Sequence, residues 1–341
     1  MAKSKDPKTT AKPAVPPTPR AKKSASPKQT GGGGGIFEEE VIAYFLADLL
    51  TGRAPFEYPI GKIVRLDTQR PAANWPLDDL LLVVEAPGKT RKLACSIKSN
   101  AQFTPQGFPA DFVASAWQQL LTTDHRTFDP TLDLVGFITA PLNADYATDL
   151  SDLLHRARQQ DPATLAQEID SSGVANERVR RLYHSFACPA DLAARYPAAT
   201  TLTGWGLARL IWQPFDFELQ QSQRVVEVRE RLRATLVAGT ASEAATLWEA
   251  LVAQAKLLRP HAGSRTLPRL ADELRYRFRL LAYPDDRADW VCIREAAESA
   301  ARQLPQRIGG QLLLPRTEER AQLQTALTRK RAAVLRGPSG T

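Results

Sequence analysis

The spacing of hydrophobic and polar residues changes several times between residues 36 and 220, and each change predicts a new helix or strand. Over 37–50 the apolar residues recur at helical spacing, which predicts an amphipathic helix: Phe37, Val41, Tyr44, Phe45 and Leu49. Three glutamates occupy its predicted first turn, after a run of five glycines, and Gly52 follows as a C-terminal stop. A short strand is predicted over 62–66.

Two apolar runs at 79–86 and 91–98 then predict a pair of strands joined by a loop. The loop, residues 87–90, contains Pro and Gly and has the length of a hairpin connection. Antiparallel pairing across a four-residue loop places Asp79 directly opposite Lys98. The first strand is apolar on both of its faces, so we expect it to be buried on both sides.

Further along the chain, the pattern alternates between helix and strand before becoming helical. The predicted elements are a helix over 109–121, a strand over 132–139, a helix over 150–167, a strand over 207–217 and a helical pattern over 222–305. The order up to residue 139 is αβββαβ. The sequence therefore predicts an α/β fold with this core, followed by an α-helical region.

Candidate chemistry lies where the first helix and the hairpin begin and end. Side chains alternate along a strand, so Asp79, Ser96 and Lys98 share one face of the hairpin. Carboxylate oxygens hold Mg²⁺, which favours hydrolysis of a phosphodiester by activating water, and a lysine stabilises charge on the phosphate. We assign Asp79 and Glu38 as metal ligands and Lys98 as the electrostatic catalyst. The competing interpretation is a turn aspartate and a solvated lysine at the end of a strand.

Three short segments carry a family resemblance: Gly35-Ile-Phe-Glu38, Leu77-Asp-Asp79 and Ser96-Ile-Lys98. In this order they resemble the PD-(D/E)xK superfamily, which has a restriction-endonuclease-like core. They are most similar to the double-stranded DNA endonuclease domains of bacterial anti-phage effectors, in the CBASS and antiviral STAND NTPase families. The resemblance covers about residues 31–220. It implies Mg²⁺-dependent cleavage of duplex DNA by Asp79, Lys98 and Glu38, with Glu39 or Glu40 able to replace Glu38.

Ser96 departs from the pattern of this superfamily. The position two residues before the lysine is usually Glu, Asp or, in the nearest relatives, Gln. A serine can accept a hydrogen bond from metal-bound water but is a poor metal ligand. The alternative is therefore a catalytically degenerate domain that binds DNA or serves in signalling within a STAND-type NTPase.

The end of the sequence predicts the start of a nucleotide-binding loop. A helix to Lys330 and a short strand over 332–336 precede Gly337-Pro-Ser-Gly-Thr341. A P-loop places its phosphate-binding glycines directly after a strand. Gly337, Gly340 and Thr341 are thus predicted nucleotide-binding residues of an incomplete P-loop, which would bind ATP in a longer chain. The competing interpretation of this short segment is a common turn. The resemblance implies that such a chain forms a homo-oligomer.

Composition changes the picture mainly at the N-terminus. The net charge of +8 suggests a nucleic-acid partner, but residues 1–30 hold eight Lys or Arg against Asp6, which leaves +1 for the rest. This basic, Pro-rich segment predicts a disordered tail that either solubilises the protein or adds affinity for DNA. Cys95, Cys188 and Cys292 form no paired motif, and the sequence contains no apolar run long enough to span a bilayer. We therefore expect a cytoplasmic protein with no membrane partner.

The sequence thus predicts four regions: a basic tail and glycine hinge (1–35), a nuclease domain (36–220), a helical connector (221–310) and the start of an NTPase (311–341). The predicted function is Mg²⁺-dependent cleavage of double-stranded DNA. A signalling or scaffold domain that joins partners through residues 222–305 is a further alternative.

Overall fold

The computed structural model describes most of the chain between residues 33 and 281. The gaps are 57–59, 69–74, 87, 101–102, 104–106, 123, 125–126, 172, 195–198, 218 and 220, and beyond 281 only positions 296, 299, 307–308, 312–313, 321 and 325 are described. Residues 1–32 of the predicted tail lie outside the described residues. The predicted P-loop residues Gly337, Gly340 and Thr341 also lie outside them.

Helices and strands follow one another in a mixed order along the described residues. They are α1 (Gly33–Thr51), β1 (Lys62–Thr68), β2 (Leu80–Ala86), β3 (Lys89–Lys98), α2 (Ala110–Leu120), β4 (Leu134–Thr139), α3 (Ala144–Gln159), α4 (Pro162–Asp170), α5 (Glu177–Ser185), α6 (Ala190–Ala193), α7 (Ala199–Ala208), β5 (Leu210–Pro214), α8 (Gln223–Arg233), α9 (Ala241–Leu258), a 3₁₀ turn (Arg259–His261), β6 (Ser264–Thr266), α10 (Leu267–Arg275), β7 (Arg307–Ile308) and β8 (Leu312–Leu313).

A mixed six-stranded sheet forms the centre of the fold, with strand order β5-β4-β3-β2-β1-β6. The pairs β3–β4 and β4–β5 are parallel, and the other pairs are antiparallel. The predicted α/β class and the αβββαβ order up to β4 are confirmed. The edge strand β6 was not predicted, because Ser264–Thr266 is too short to show an alternating pattern, yet it pairs with Arg65–Asp67 of β1.

Each face of the sheet carries its own hydrophobic core. The core that contains residues of α1, α8, α9 and α10 includes Leu80 and Leu82 of β2, and we call it the first core. The second core, which contains residues of α2, α3, α4, α5 and α7, includes Leu81. The expectation that β2 is buried on both sides is therefore confirmed. The helices of the predicted connector pack in the first core together with α1.

Helix α1 differs from the predicted amphipathic helix in two respects. It begins at Gly33, so part of the glycine run is helical and the three glutamates stand beyond its first turn. Every residue from Val41 to Leu50 is buried, because α8, α9 and β1 all contact this helix. A helix enclosed in this way needs no polar face. Its predicted end is confirmed by Gly52, whose φ of 68° suits glycine.

Two predicted boundaries were wrong. The single helix over 150–167 is two helices, because Asp161 accepts hydrogen bonds from the amides of Ala163 and Thr164 and Pro162 starts a new helix. The predicted strand over 207–217 shortens to Leu210–Pro214, since α7 continues to Ala208.

The connection between β2 and β3 is shorter than the predicted four-residue loop. Ala86 pairs with Lys89 and Leu80 pairs with Cys95, with Gly88 in the turn at a φ of 74°. One step beyond Leu80, this register places Asp79 beside Ser96, so the predicted pairing of Asp79 with Lys98 was wrong by two residues. A shift by an even number keeps each side chain on its predicted face.

Candidate active site at the end of the central hairpin

Asp79 stands in a bend directly before β2, next to the end of β3. Its Oδ2 atom accepts a hydrogen bond from the backbone N–H of Ile97 at 2.7 Å. The hydroxyl of Ser96 donates a second hydrogen bond to the same oxygen at 3.1 Å. Two donors from one strand therefore fix the orientation of this carboxylate.

Burial raises the pKa of Asp79 above its ordinary value, because a charged carboxylate loses hydration there. The Ile97 amide, the Lys98 ammonium and the Ser96 hydroxyl oppose this rise, whereas the charge of Asp78 adds to it. Asp79 retains partial exposure. It is thus an oriented carboxylate within reach of solvent, and Lys98 is its cationic neighbour.

Lys98 is the last residue of β3, and about a third of its side chain is exposed. Its Nζ lies 3.6 Å from Oδ2 of Asp111, an acidic residue in the first turn of α2. Asp111 was not among the predicted site residues. Its position at the start of a helix that follows the hairpin is the signal that could have found it.

Ser96 is buried and was predicted as a site residue although a serine departs from the PD-(D/E)xK pattern. Its hydroxyl donates a hydrogen bond to Oδ2 of Asp79. A hydroxyl keeps acceptor capacity while it donates one hydrogen bond. Ser96 thus helps to orient the carboxylate of Asp79. It does not supply a second carboxylate from β3.

Glu38 lies near the start of α1, a helix that packs in the first core. Its Oε2 lies 3.1 Å from Nη1 of Arg259, and Oε1 of Glu39 lies 3.5 Å from Nη2 of the same residue. The beginning of α1 reaches the end of β3, since a Cβ atom on Gly34 would lie 3.6 Å from Oγ of Ser99. The structure therefore brings Asp79, Ser96 and Lys98 together and pairs Glu38 with Arg259.

These residues can be tested against the ligand requirements of Mg²⁺. In the part of the chain that the structure describes, no group of three or more His, Cys, Asp and Glu side chains is arranged to hold a metal ion. Mg²⁺ commonly binds one or two protein carboxylates and takes its remaining ligands from water and substrate phosphates. The oriented carboxylate of Asp79 fits that sparse ligand set, and Glu38 remains the second predicted ligand.

Among the described residues, no helix is both long and apolar enough to cross a membrane.

Comparisons with known proteins give a distant structural likeness. No protein-family model matches the sequence, and no curated protein matches it. Among solved structures, the Cap4 SAVED/CARF-domain containing receptor of Acinetobacter baumannii with the cyclic trinucleotide 3'3'3'-cAAA is 11% identical, with a TM-score of 0.44 over 76% of this chain and 46% of the receptor. The Cap4 receptor of Moraxella osloensis is 12% identical, with a TM-score of 0.40 over 68% of this chain and 44% of the receptor. The chain spans less than half the length of these receptors.

Proposed function

We propose that this chain is a nuclease unit that hydrolyses phosphodiester bonds of double-stranded DNA with Mg²⁺. The observation that carries the proposal is the group formed by Asp79, Ser96 and Lys98. Its carboxylate is oriented by two hydrogen bonds, and its ammonium belongs to the adjacent strand. The αβββαβ order places this group at the junction of the hairpin and α2.

Each residue has a distinct role in the proposed reaction. Asp79 and Glu38 would hold the metal ion, which supplies Lewis acidity and an activated water when it is bound. Ser96 keeps Asp79 in one orientation. Lys98 stabilises the negative charge that develops on the phosphoryl oxygens, and Asp111 holds the ammonium near the end of β3 until phosphate replaces it.

The wider setting of the proposal comes from the family resemblance. There the nuclease serves as the effector of a cytoplasmic anti-phage NTPase. A longer chain with a complete P-loop would bind ATP and form a homo-oligomer that activates cleavage.

A second candidate is a binding or signalling module without catalysis, and two observations favour it. The acid or amide of the PD-(D/E)xK pattern is replaced by Ser96, and the described residues offer no three-ligand metal group. Such a module would retain DNA, or a small nucleotide, at the same basic and acidic side chains without cutting it.

The test uses supercoiled plasmid and Mg²⁺ with the 341-residue chain and with a form that lacks residues 1–30. The variants are Asp79→Asn and Lys98→Ala, and Asp78→Asn is the matched control, because Asp78 is adjacent in sequence but makes neither hydrogen bond to β3. Nicking by wild type and control, with loss of activity in both site variants, is the expected result.

Binding assays on the same proteins separate the two candidates. Plasmid that stays supercoiled in every lane, together with retention of DNA that persists in Lys98→Ala, would overturn the nuclease proposal and favour the second candidate. A cyclic trinucleotide, the ligand in the A. baumannii receptor structure, serves as the small-nucleotide probe. Loss of DNA affinity on removal of residues 1–30 would assign that affinity to the tail.

A further inference from the structure

The turn after α9 holds one arginine against the start of α1. Leu258 ends α9, and Arg259 begins the 3₁₀ turn that leads into β6. The hydroxyl of Thr68 donates to the carbonyl of Leu258 at 2.9 Å. The backbone N–H of Thr68 donates to the carbonyl of Gly263, also at 2.9 Å. The end of β1 therefore fastens both ends of this turn.

Close packing adds to this constraint. Ala262 has a φ of 48°, a left-handed conformation that side-chain-bearing residues rarely adopt. A Cβ atom on Gly263 would lie 2.3 Å from Cδ2 of Leu258. Because the turn is fastened and crowded, the backbone of Arg259 has a defined position relative to α1.

The guanidinium of Arg259 lies across the first residues of α1. It contacts Glu38 at 3.1 Å and Glu39 at 3.5 Å through different nitrogens. A Cβ atom on Gly35 would lie 2.9 Å from Nη1, so the close approach uses the absence of a side chain at that position. The planar fork of arginine suits simultaneous contact with two carboxylates, which the ammonium of lysine cannot reproduce.

We propose that Arg259 is a positioning residue that holds Glu38 in the orientation required for the metal site. The inference rests on the proposed nuclease function. Arg259 lies 221 residues beyond Glu38 in sequence, within the region predicted as a connector. The site therefore depends on a residue of that region, and residues 36–220 alone do not contain it.

The test compares four variants of the full chain. Arg259→Gln removes the cation, Arg259→Lys keeps the charge without the fork, and Gly35→Ala adds a methyl group against the guanidinium. Arg269→Gln is the matched control, since the exposed Arg269 pairs with Glu273 of its own helix at 3.4 Å and forms no ion pair with α1 within the described part of the chain. Thermal unfolding of each variant establishes that it is folded.

Two readouts follow each variant: the Mg²⁺ concentration at half-maximal nicking, and Mn²⁺ binding without DNA by electron paramagnetic resonance. Loss of a residue that orients a metal ligand typically lowers metal affinity or activity by about 10–100-fold. We expect Arg259→Gln to weaken Mn²⁺ binding and to raise the Mg²⁺ requirement by about tenfold, with Arg259→Lys intermediate and Arg269→Gln unchanged.

The outcomes distinguish this inference from the proposed function. Wild-type nicking with unchanged metal dependence in Arg259→Gln would overturn the inference and leave the nuclease proposal intact. Tighter Mn²⁺ binding in Arg259→Gln would also overturn it, because the arginine would then compete with the metal for Glu38. A wild type that neither nicks DNA nor binds Mn²⁺ would overturn both.

Discussion

The last turn of α1 and the residue before β2 each hold an aspartate away from water, but the loss of hydration is compensated differently in the two places. Asp48, in α1, is almost completely buried and pairs with Arg231 of α8, whose guanidinium also lies 4.8 Å from the ring centre of Tyr44. Asp79 receives two hydrogen bonds from neutral donors instead, and its cationic neighbour Lys98 is shared with Asp111.

This difference separates a structural carboxylate from one suited to chemistry. Burial raises the pKa of Asp48, and Arg231 opposes the rise, so the two charges stabilise each other and are closed to a ligand. Burial also raises the pKa of Asp79, but the groups that hold it leave it in reach of solvent. A buried carboxylate thus suggests a site mainly when its charge is not already neutralised by one close cation.

Substitution of Arg231 is expected to cause the largest loss of unfolding free energy. Arg231→Met removes the cation that opposes the rise in the pKa of Asp48, so the fold must bury either an unpaired charge or a protonated carboxyl. Removal of one partner from a buried pair typically costs about 3–5 kcal/mol of unfolding free energy. Urea unfolding followed by circular dichroism measures the loss. Arg229→Met is the control, because Arg229 pairs with the exposed Glu249, and an exposed pair contributes about 1 kcal/mol or less.

The double variant Asp48→Leu with Arg231→Met sharpens this prediction. Asp48 Oδ2 and two guanidinium nitrogens of Arg231 are buried without a hydrogen-bond partner in the described part of the chain, so the pair is incompletely compensated. We expect the double variant to recover most of the stability lost by Arg231→Met. Equal stability of the single and double variants would show that the pair does not act as a unit.

At Asp79 we predict loss of activity rather than loss of stability. Asp79→Asn keeps an oxygen that accepts the hydrogen bonds of Ile97 and Ser96, so the unfolding free energy should change by no more than about 1 kcal/mol. Nicking should fall by about 100-fold or more, because the amide is neutral and a weak ligand for Mg²⁺. Destabilisation as large as that of Arg231→Met would make Asp79 a structural residue and remove the contrast with Asp48.

Much of the fold was predictable because its signals are local. The apolar runs of β2 and β3 and the alternation that places Asp79 with Ser96 need only neighbouring residues. The hairpin register depends on the turn: Gly88 permits a tighter connection than the four-residue loop assumed. The break between α3 and α4 was also local, and Pro162 was the signal that the helical pattern obscured.

The parts that sequence reasoning missed depend on contacts between distant residues. The burial of α1 on all sides is caused by α8 and α9, which follow it by more than 150 residues. Arg259 reaches Glu38 only because β6 joins the sheet beside β1. The pairing of Asp111 with Lys98 likewise follows from the packing of α2. The position of Asp111 in the first turn of a predicted helix was a local signal, whereas Arg259 belongs to no recognisable pattern.

Glu40 is a third carboxylate, partly buried and close to two other glutamates. We expect it to make the stability of the fold depend on pH. Burial, Glu249 and Glu39 raise its pKa from the ordinary value of 4.5 to about 7. The folded state therefore binds this proton more tightly than the unfolded state, and stability falls as pH rises from about 4.5 through about 7. The contribution is complete below that window and absent above it.

Glu40→Gln should flatten this decline, because glutamine stays neutral at every pH. The variant should be more stable than wild type at pH 8 by about 1 kcal/mol, after allowance for solvent screening of a partly exposed side chain. At pH 4 the two should be equal. Thermal unfolding across this range measures the difference, and parallel curves for the two proteins would contradict the assignment.

The smallest effect is expected at Asp111, the most exposed of these carboxylates. Asp111→Asn removes the 3.6 Å ion pair with Lys98, and pairs of this exposure contribute about 0.5 kcal/mol or less to stability. If Asp111 restrains the ammonium between turnovers, its loss should leave unfolding unchanged and alter the salt dependence of DNA binding, since Lys98 becomes freer to contact phosphate. Filter binding at several salt concentrations measures that slope, with Asp145→Asn as a control, because Asp145 faces Arg178 and not Lys98. A measurable loss of stability in Asp111→Asn would instead place Asp111 with Asp48, as a carboxylate whose charge holds the fold together.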